Sequence, residues 1–181
     1  RRQRQMCIRD MDCVLTLNTA GEEDGIVASG DQPDAVIYNG TSYIGNNIYN
    51  STGVDQTHSQ SVQIQTKAVY HLRFYNDGTA VDSFRITGPG RSYWYWRIQY
   101  FDYTTGIDIS SSVTGGGWNT PAIAPGSYQR VRLEVTPLLN VGLNEIGSVL
   151  TKCVSANNPT KRDAVRAKTS ATLTYVVDSW I

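Results

Sequence analysis

The stretch VYHLRFYNDGTAVDSFRI, residues 69–86, decides the fold class of this chain. Apolar side chains recur at every second position on both sides of Asn76-Asp77-Gly78. Successive side chains of a strand point to opposite faces, so this period of two is typical of half-buried strands. An Asp-Gly pair between two such runs predicts a tight hairpin, because glycine accepts the positive φ that such turns need. The alternative is a looser connection that passes from one sheet to the other, as in Greek-key sandwiches.

Similar short alternating runs fill the rest of the chain. Strands are predicted at 35–38, 61–66, 93–103, 107–113, 128–135, 146–154 and 162–176, with a long loop containing one short strand over 41–57. Most of these runs are followed by Gly, Pro or Asn, which favour turns. No segment has a convincing amphipathic helical pattern, since even 163–170 fits a period of two better. The spacing predicts an all-β fold, an antiparallel β-sandwich of about seven to nine strands with Greek-key connections.

Size and charge narrow the class of protein. A chain of 181 residues fits one domain with flanks, and a domain of this size needs no disulfide or metal to be stable. The formal net charge is zero and the sequence pI is about 6.9. This balance argues against a dedicated nucleic-acid-binding protein, in which basic residues are clustered. Much Thr, Ser, Gly, Asn and Tyr with only 18% charged residues is typical of an extracellular β-module.

The cysteines show no disulfide or zinc pattern, and the apolar runs show no membrane span or signal peptide. Cys7, Cys13 and Cys153 are odd in number and irregular in spacing, which matches neither a disulfide framework nor a zinc site. We expect Cys153 to be a small buried residue of a strand, and a Cys13–Cys153 bridge stays open. No run approaches the 18 or so apolar residues of a membrane span, so no direct membrane insertion is expected. We interpret the chain as a fragment, so that the lack of a signal peptide does not bear on the compartment.

The chain divides into four segments. Residues 1–10, RRQRQMCIRD, resemble a translated sequencing adapter of the kind found in metagenomic assemblies, and a short basic arm is the alternative. Residues 11–33 are interpreted as the end of a preceding domain and a linker. Residues 34–176 form the predicted sandwich domain, and 177–181 begin a linker or a further module.

Two motifs in order resemble a known group of modules. The first is FYNDGTAVDSFRITGPG, with an Asn-x-Gly turn and an Asp-x-Phe strand at Asn76, Gly78, Asp82 and Phe84. The second is IAPGSYQRVRLEVTP, an Ala-Pro-Gly turn that leads into an alternating strand. Together they resemble the CARDB-like and alpha-galactosidase-associated bacterial Ig-like domains, over about residues 66–175. The resemblance implies a non-catalytic repeat module, structural or adhesive, of a large bacterial surface or secreted protein, without catalytic residues or cofactors.

The most aromatic segment, residues 93–103, is the candidate binding site. Trp94, Trp96, Ile98 and Tyr100 share one face, which we expect to be core. The opposite face carries the candidate ligand-binding residues Tyr93, Tyr95, Arg97 and Phe101. Exposed aromatic rings stack on sugars, so the alternative function is a carbohydrate-binding module attached to a secreted hydrolase.

Other chemistry finds little support in the sequence. The Asn/Asp-rich loop 39–55 has one carboxylate, whereas calcium takes about six to eight oxygens, usually with several carboxylates. No metal site and no cofactor are therefore predicted. His58 and His71 lack a nucleophile motif, and Asp102 and Asp108 lack any context as a glycosidase pair. The expected partners are neighbouring domains of the same chain, a polysaccharide or another surface protein, outside the cell and without nucleic acid.

Overall fold

The computed structural model describes residues 30–90 and 95–173, which form two packed β-sheets. The segments 1–10 and 177–181, Cys7, Cys13 and Trp94 lie outside the described residues. Sheet 1 consists of β1 (Pro33–Tyr38), β2 (Tyr43–Ile44), β4 (Ala68–Asn76), β6 (Trp96–Asp102) and β8 (Tyr128–Pro137). Sheet 2 consists of β3 (Thr57–Gln63), β5 (Phe84–Thr87), β7 (Trp118–Asn119), β9 (Ile146–Ser155) and β10 (Arg162–Thr172). The Ig-like β-sandwich is thereby confirmed.

The strand orders are β2-β1-β4-β8-β6 in sheet 1 and β3-β10-β9-β5-β7 in sheet 2. From β4 to β9 each connection passes from one sheet to the other, which is typical of Greek-key sandwiches. The described residues contain ten strands, a little more than the prediction. β2 is the short strand predicted within 41–57, whereas β7 was not predicted, because its two residues are too few to leave an alternating pattern.

The core is built from the inward faces of the alternating strands. Tyr70, Leu72 and Phe74 of β4 are buried, as the period of two predicts, and so are Phe84 and Ile86 of β5. Each large apolar side chain removed from water contributes roughly 1.5–3 kcal/mol. The Tyr70 hydroxyl also reaches sheet 2, where it donates to the Lys168 carbonyl at 2.5 Å, so β4 is bonded to β10 across the core.

Trp96 is a core residue, as predicted, and is only 7% exposed. Its indole ring lies on the backbone of Gly147 in β9. A Cβ atom at position 147 would lie 2.7 Å from the indole Cδ2 atom. Glycine is therefore required at this position so that the indole can lie against the strand.

The predicted hairpin at Asn76-Asp77-Gly78 is wrong, and the looser connection between the sheets is confirmed. β4 pairs with β1 and β8, whereas β5 pairs with β7 and β9. The φ angle of Gly78 is not positive; a Cβ atom there would lie 2.7 Å from the Gly30 carbonyl oxygen. Close backbone approach, and not turn geometry, requires this glycine.

The Asn76 side chain holds this wide connection. Its Oδ1 accepts from the Gly78 N–H at 3.0 Å. Its Nδ2 donates to the carbonyls of Ala80 and Ile123, both at 2.8 Å. A buried amide with these partners replaces the ladder bonds that a hairpin would have made.

The strand predicted at 107–113 is also wrong, because Ser110–Thr114 forms a short helix, α1. The Oδ1 of Asp108 accepts from the Ser110 N–H at 2.8 Å. The Ser110 Oγ accepts from the Tyr100 N–H of β6 at 2.8 Å, and Val113 is buried. Contacts with β6 therefore stabilise a helical turn that has no amphipathic pattern of its own.

The strand predicted at 61–66 lies earlier, at β3, and runs parallel to β10 with Thr57 opposite Arg166. This parallel pair departs from the predicted all-antiparallel sandwich. Gln65 has a φ of 68°, and this turn ends the strand before the predicted limit. Cys153 is a buried free thiol of β9, as expected, and burial raises its pKa well above the ordinary value.

Candidate functional site

Three of the four predicted site residues lie on or next to β6, the edge strand of sheet 1. Arg97 and Phe101 point outward from β6, and Tyr95, just before this strand, is 46% exposed. Tyr93 lies outside the described residues. The Arg132 guanidinium lies 4.4 Å from the centre of the Phe101 ring, so one face of that ring is covered. The structure thus brings Phe101 against a neighbouring strand, while Tyr95 and Arg97 remain open to solvent.

Aromatic and basic side chains lie on the outer face of sheet 1 beyond β6 as well. Neighbouring strands contribute to it because β4 pairs with β8, and β8 pairs with β6. Arg73 of β4 lies directly opposite Arg130 of β8, and His71 lies opposite Arg132. The rings of this face are Tyr38, Tyr43, Tyr75, Phe101, Tyr103 and Tyr128.

The guanidinium groups of this face are stacked on rings. That of Arg73 lies 3.8 Å from the centre of the Tyr43 ring and 4.6 Å from that of Tyr128. Arg130 lies 4.4 Å from the centre of the Tyr103 ring. Each such cation–π contact contributes about 0.5–2 kcal/mol, depending on exposure. The stacking orders side chains that would otherwise be mobile.

A shallow depression of about 200 Å³ lies between these stacks. We call it the Tyr/Arg depression. Its lining residues are Tyr38, Tyr43, His71, Arg73, Tyr103 and Arg130. The His71 ring lies edge-on between two tyrosine rings, 6.5 Å from Tyr38 and 5.7 Å from Tyr103 between centres. The depression is therefore walled by rings and two arginines.

The charges on the outer face are unequally compensated. Glu134 binds Lys67 at 3.0 Å, and the Arg132 Nε also lies 3.0 Å from this carboxylate. Arg73 and Arg130 form no ion pair within residues 30–90 and 95–173. Burial, and then the charge of Arg132, lower the pKa of His71, which favours the neutral ring at pH 7. At this pH the depression thus carries two positive charges without a carboxylate.

A second depression, of about 290 Å³, lies at the edge of β6 beside the predicted site. Arg97 and Gln99 line it together with Asp108 and three hydroxyl side chains of α1. Asp108 bonds to Ser110, and Asp102 accepts from Gln129 and Thr105. Both acids thus stabilise local structure through these hydrogen bonds.

The buried acids Asp163 and Asp34 hold the loop between β1 and β3. Asp163 Oδ2 accepts from the Ala35 N–H at 2.6 Å and from Gln56 Nε2 at 2.9 Å. Its Oδ1 accepts from the N–H groups of Asn50 and Ala164, at 2.9 and 2.8 Å. The carboxylate of β10 therefore joins β1, its own strand and the loop.

Asp34 has fewer partners. Its Oδ2 accepts from the Asn47 N–H at 3.3 Å, and its buried Oδ1 has no partner among the described residues. Burial, with a smaller contribution from the charges of Asp77 and Asp163, raises the pKa of Asp34 to about 7. The carboxyl of Asp34 therefore stays protonated at pH values at which an ordinary aspartic acid is ionised.

The Asn side chains of the 39–55 loop bond to the loop itself. Asn39 Oδ1 accepts from the N–H groups of Thr41 and Ser42, both at 2.9 Å. Asn50 Oδ1 accepts from the N–H groups of Thr52 and Gly53. No group of three or more His, Cys, Asp or Glu side chains could hold a metal ion in the part of the chain described here.

Asp82, one of the motif residues, joins two connections at one end of the sandwich. It accepts from the Ser155 hydroxyl and from the N–H of Asn157, at 3.2 Å for the latter. The motif Asp-x-Phe therefore places a buried acid against the β9–β10 turn and a core ring in β5. Neither residue faces solvent.

Sequence patterns alone missed the Tyr/Arg depression. The alternation does place His71 and Arg73 on one face of β4, and Arg130 and Arg132 on one face of β8. The pairing that makes these strands neighbours joins residues about 60 positions apart, and no local pattern encodes it. The sequence feature that could have indicated the depression is the recurrence of Arg and Tyr on the polar faces of the strands.

No family model and no curated protein sequence matches this chain. Solved structures with a similar fold include a FixG-related protein from Vibrio parahaemolyticus, at 10% identity and a TM-score of 0.44, covering 80% of this chain and 100% of that one. A family 123 glycoside hydrolase from Clostridium perfringens has 9% identity and a TM-score of 0.45, over 79% and 27%. The major pilin subunit BcpA of Bacillus cereus has 11% identity and a TM-score of 0.43, over 80% and 41%. Likenesses at this level carry no argument about function.

Within residues 30–90 and 95–173, no helix has the length and apolar character to cross a membrane.

Proposed function

We propose that this chain is a non-catalytic, CARDB-like Ig module of a multidomain bacterial protein, located outside the cell or on its surface. Its role is structural or adhesive: it holds neighbouring domains at a fixed distance and presents surfaces to other surface proteins. The motifs around Asn76 and Ala124 support the family resemblance. The observation that supports the role most is the use of buried polar side chains to fix the loops.

Three such side chains anchor connections to segments that are far away in the chain. Asp163 anchors the loop after β1, Asn76 holds the connection after β4, and Asp82 anchors the turn between β9 and β10. Buried hydrogen bonds of this kind restrict local opening, since each opening would leave a polar group unpaired. A module whose end connections are fixed suits a spacer, because it transmits distance and orientation between its neighbours.

Surface labelling of the organism that encodes the chain tests this proposal. We expect an antibody raised against residues 34–173 to label intact cells, and the full reading frame to contain further sandwich units. Labelling that requires permeabilised cells, together with a single copy inside a cytosolic protein, would contradict the proposal. An antibody against a cytosolic protein serves as the control for cell integrity.

Carbohydrate binding by Tyr95, Arg97 and Phe101, with Tyr93, is the second candidate function. It is favoured by the exposure of Tyr95 and by the outward position of Arg97. In isothermal titration against plant, algal and bacterial polysaccharides, we expect Tyr95→Ala to weaken binding by roughly tenfold, because a stacked ring contributes on the order of 1 kcal/mol or more. Leu143→Ala, which removes an exposed side chain from the loop between β8 and β9, should leave binding unchanged. Equal affinities of Tyr95→Ala and the parent would remove this candidate.

A further inference from the structure

We propose that the Tyr/Arg depression is a second binding site, which takes the carboxylate or sulfate groups of an acidic polysaccharide. The site is centred on Arg73 and Arg130 in the middle of sheet 1, and not on the aromatic segment before and within β6. The inference concerns one face of the isolated domain, so it holds whether or not the chain serves as a spacer.

The two arginines of the depression carry positive charges that lie close together. Arg73 and Arg130 face each other in the register of β4 and β8, so their Cα atoms are about 4.5–5.5 Å apart. Like charges directly opposite on neighbouring strands destabilise a sheet. Arg132, the next outward residue of β8, has Glu134 close by, but Arg73 and Arg130 have no ion-pair partner in the described part of the chain. An anionic ligand would neutralise this pair.

Both arginine side chains are already ordered before a ligand binds. Arg73 is held between the Tyr43 and Tyr128 rings, and Arg130 is held on Tyr103. The only hydrogen bond of the Arg73 guanidinium to a described residue goes to the Tyr75 hydroxyl, at 3.0 Å. Stacking on a ring does not use the in-plane N–H groups of a guanidinium, which can bind carboxylate or sulfate; the buried Nε of Arg73 has no partner among the described residues. Little side-chain entropy is then lost on binding.

The depression has the size and the lining expected of a site for one sugar ring. Its volume, about 200 Å³, is below the roughly 300–1,000 Å³ of sites for drug-sized molecules. It suits one ring of a longer chain. Tyrosine rings provide an apolar surface with hydroxyl groups at its edge, and Tyr103 is 41% exposed. Both properties match the apolar faces and the hydroxyl groups of a sugar ring.

The position in the sheet favours a polysaccharide over an acidic peptide. β4 and β8 are paired on both sides, so their main-chain groups are already bonded. An extended peptide gains affinity from pairing with a free strand edge, which this site does not offer. A nucleic acid is disfavoured because the formal net charge of the chain is zero. Recognition here must come from rings and guanidiniums alone.

Isothermal titration of the 181-residue chain tests the proposal. The probes are polygalacturonate, dextran sulfate, neutral dextran, poly-glutamate and a single-stranded oligodeoxythymidine, each at low and at high salt. We expect one of the two acidic polysaccharides to bind more tightly than every other probe, and more weakly at high salt. Arg73→Gln and Arg130→Gln should each weaken that binding by about tenfold or more, since each removes a charged hydrogen-bonding group.

Arg85→Gln is the control, because it removes an exposed arginine charge from β5 of sheet 2, away from the depression, and should leave the affinity unchanged. Arg73→Lys keeps the charge but lacks the planar fork, so its affinity should lie between those of the parent and Arg73→Gln. It tests the role of Arg73 in case Arg73→Gln reduces stability. Thermal unfolding of each variant identifies any loss of fold. Equal binding of dextran, tighter binding of poly-glutamate or of the oligonucleotide, or an unchanged affinity in both glutamine variants would overturn the proposal.

Discussion

Replacement of Asp163 by alanine is expected to lower the free energy of unfolding by about 3–5 kcal/mol, because it leaves several buried donors without an acceptor. The carboxylate accepts from three backbone N–H groups and from the Gln56 amide. Both Asp163 and Gln56 are fully buried, so water cannot replace the lost bonds without opening the loop. The loss would be a large share of the total stability of a domain.

Urea unfolding followed by tryptophan fluorescence measures this loss, since Trp96 is buried in the core. Asp163→Asn should be destabilised less than Asp163→Ala, because the amide retains one accepting oxygen. Glu145→Ala removes an exposed carboxylate with one local bond to Gly142 and should change stability by no more than about 0.5 kcal/mol. A loss below about 1 kcal/mol in Asp163→Ala would contradict the role assigned to this network.

The second large effect is a dependence of stability on pH that originates at Asp34. Burial raises its pKa to about 7 in the folded state, while the unfolded chain has the ordinary value of about 3.9. Between these values the folded state binds the proton more strongly, so acid conditions stabilise the fold. This stabilisation is complete below about pH 4 and is lost as the pH rises through 7. Its size is on the order of 4 kcal/mol, at about 1.4 kcal/mol per pKa unit.

Asp34→Asn isolates this contribution, because the amide imitates the neutral acid. We expect the variant to be more stable than the parent at pH 8, nearly equal to it at pH 4, and less dependent on pH between the two. The raised pKa of Asp163, caused mainly by burial, acts in the same direction and remains in the variant. Asp55→Asn, an exposed substitution at a φ of 61° in the loop that Asp34 helps to hold, is the control. Parallel stability profiles of Asp34→Asn and the parent would refute the effect of Asp34.

Local patterns predicted the strands that are long and half-buried. β4, β8, β9 and β10 were all expected near their observed positions, because a strand with one buried face must alternate along its whole length. The burial of Tyr70, Leu72 and Phe74 followed from the same rule. Trp96 and Cys153 were placed in the core from their residue types and positions in alternating runs.

The same patterns failed where distant contacts outweigh local preference. Asp-Gly after Asn76 favours a hairpin, but Asn76 bonds to Ile123, and β5 pairs with β9. The segment 107–113 alternates weakly, but bonds to Tyr100 stabilise a helical turn there. β3 pairs in parallel with β10, about 110 residues away, and such a pairing leaves no trace in a short window of sequence.

For the candidate sites, the difference between what the sequence predicts and what the structure shows is larger. The aromatic segment 93–103 is visible in the sequence, and the binding site at Tyr93, Tyr95, Arg97 and Phe101 remains a prediction. The Tyr/Arg depression was not visible, although His71, Arg73, Arg130 and Arg132 were each assigned to a polar face. Its geometry depends on the β4–β8 register, which places Arg73 opposite Arg130. A shift by one residue would turn the arginines of one strand toward the core.

The sequence by itself determined that this chain is an all-β sandwich and which face of each long strand is buried, because both follow from a period of two within single segments. Only the tertiary structure decided which strands are neighbours, where the chain passes between sheets, and which loops the buried acids hold. The physical reason is that strand pairing is set by burial and hydrogen bonding between segments far apart in the chain. The arginine pair on sheet 1 is a product of that pairing, and so is the binding site proposed for it.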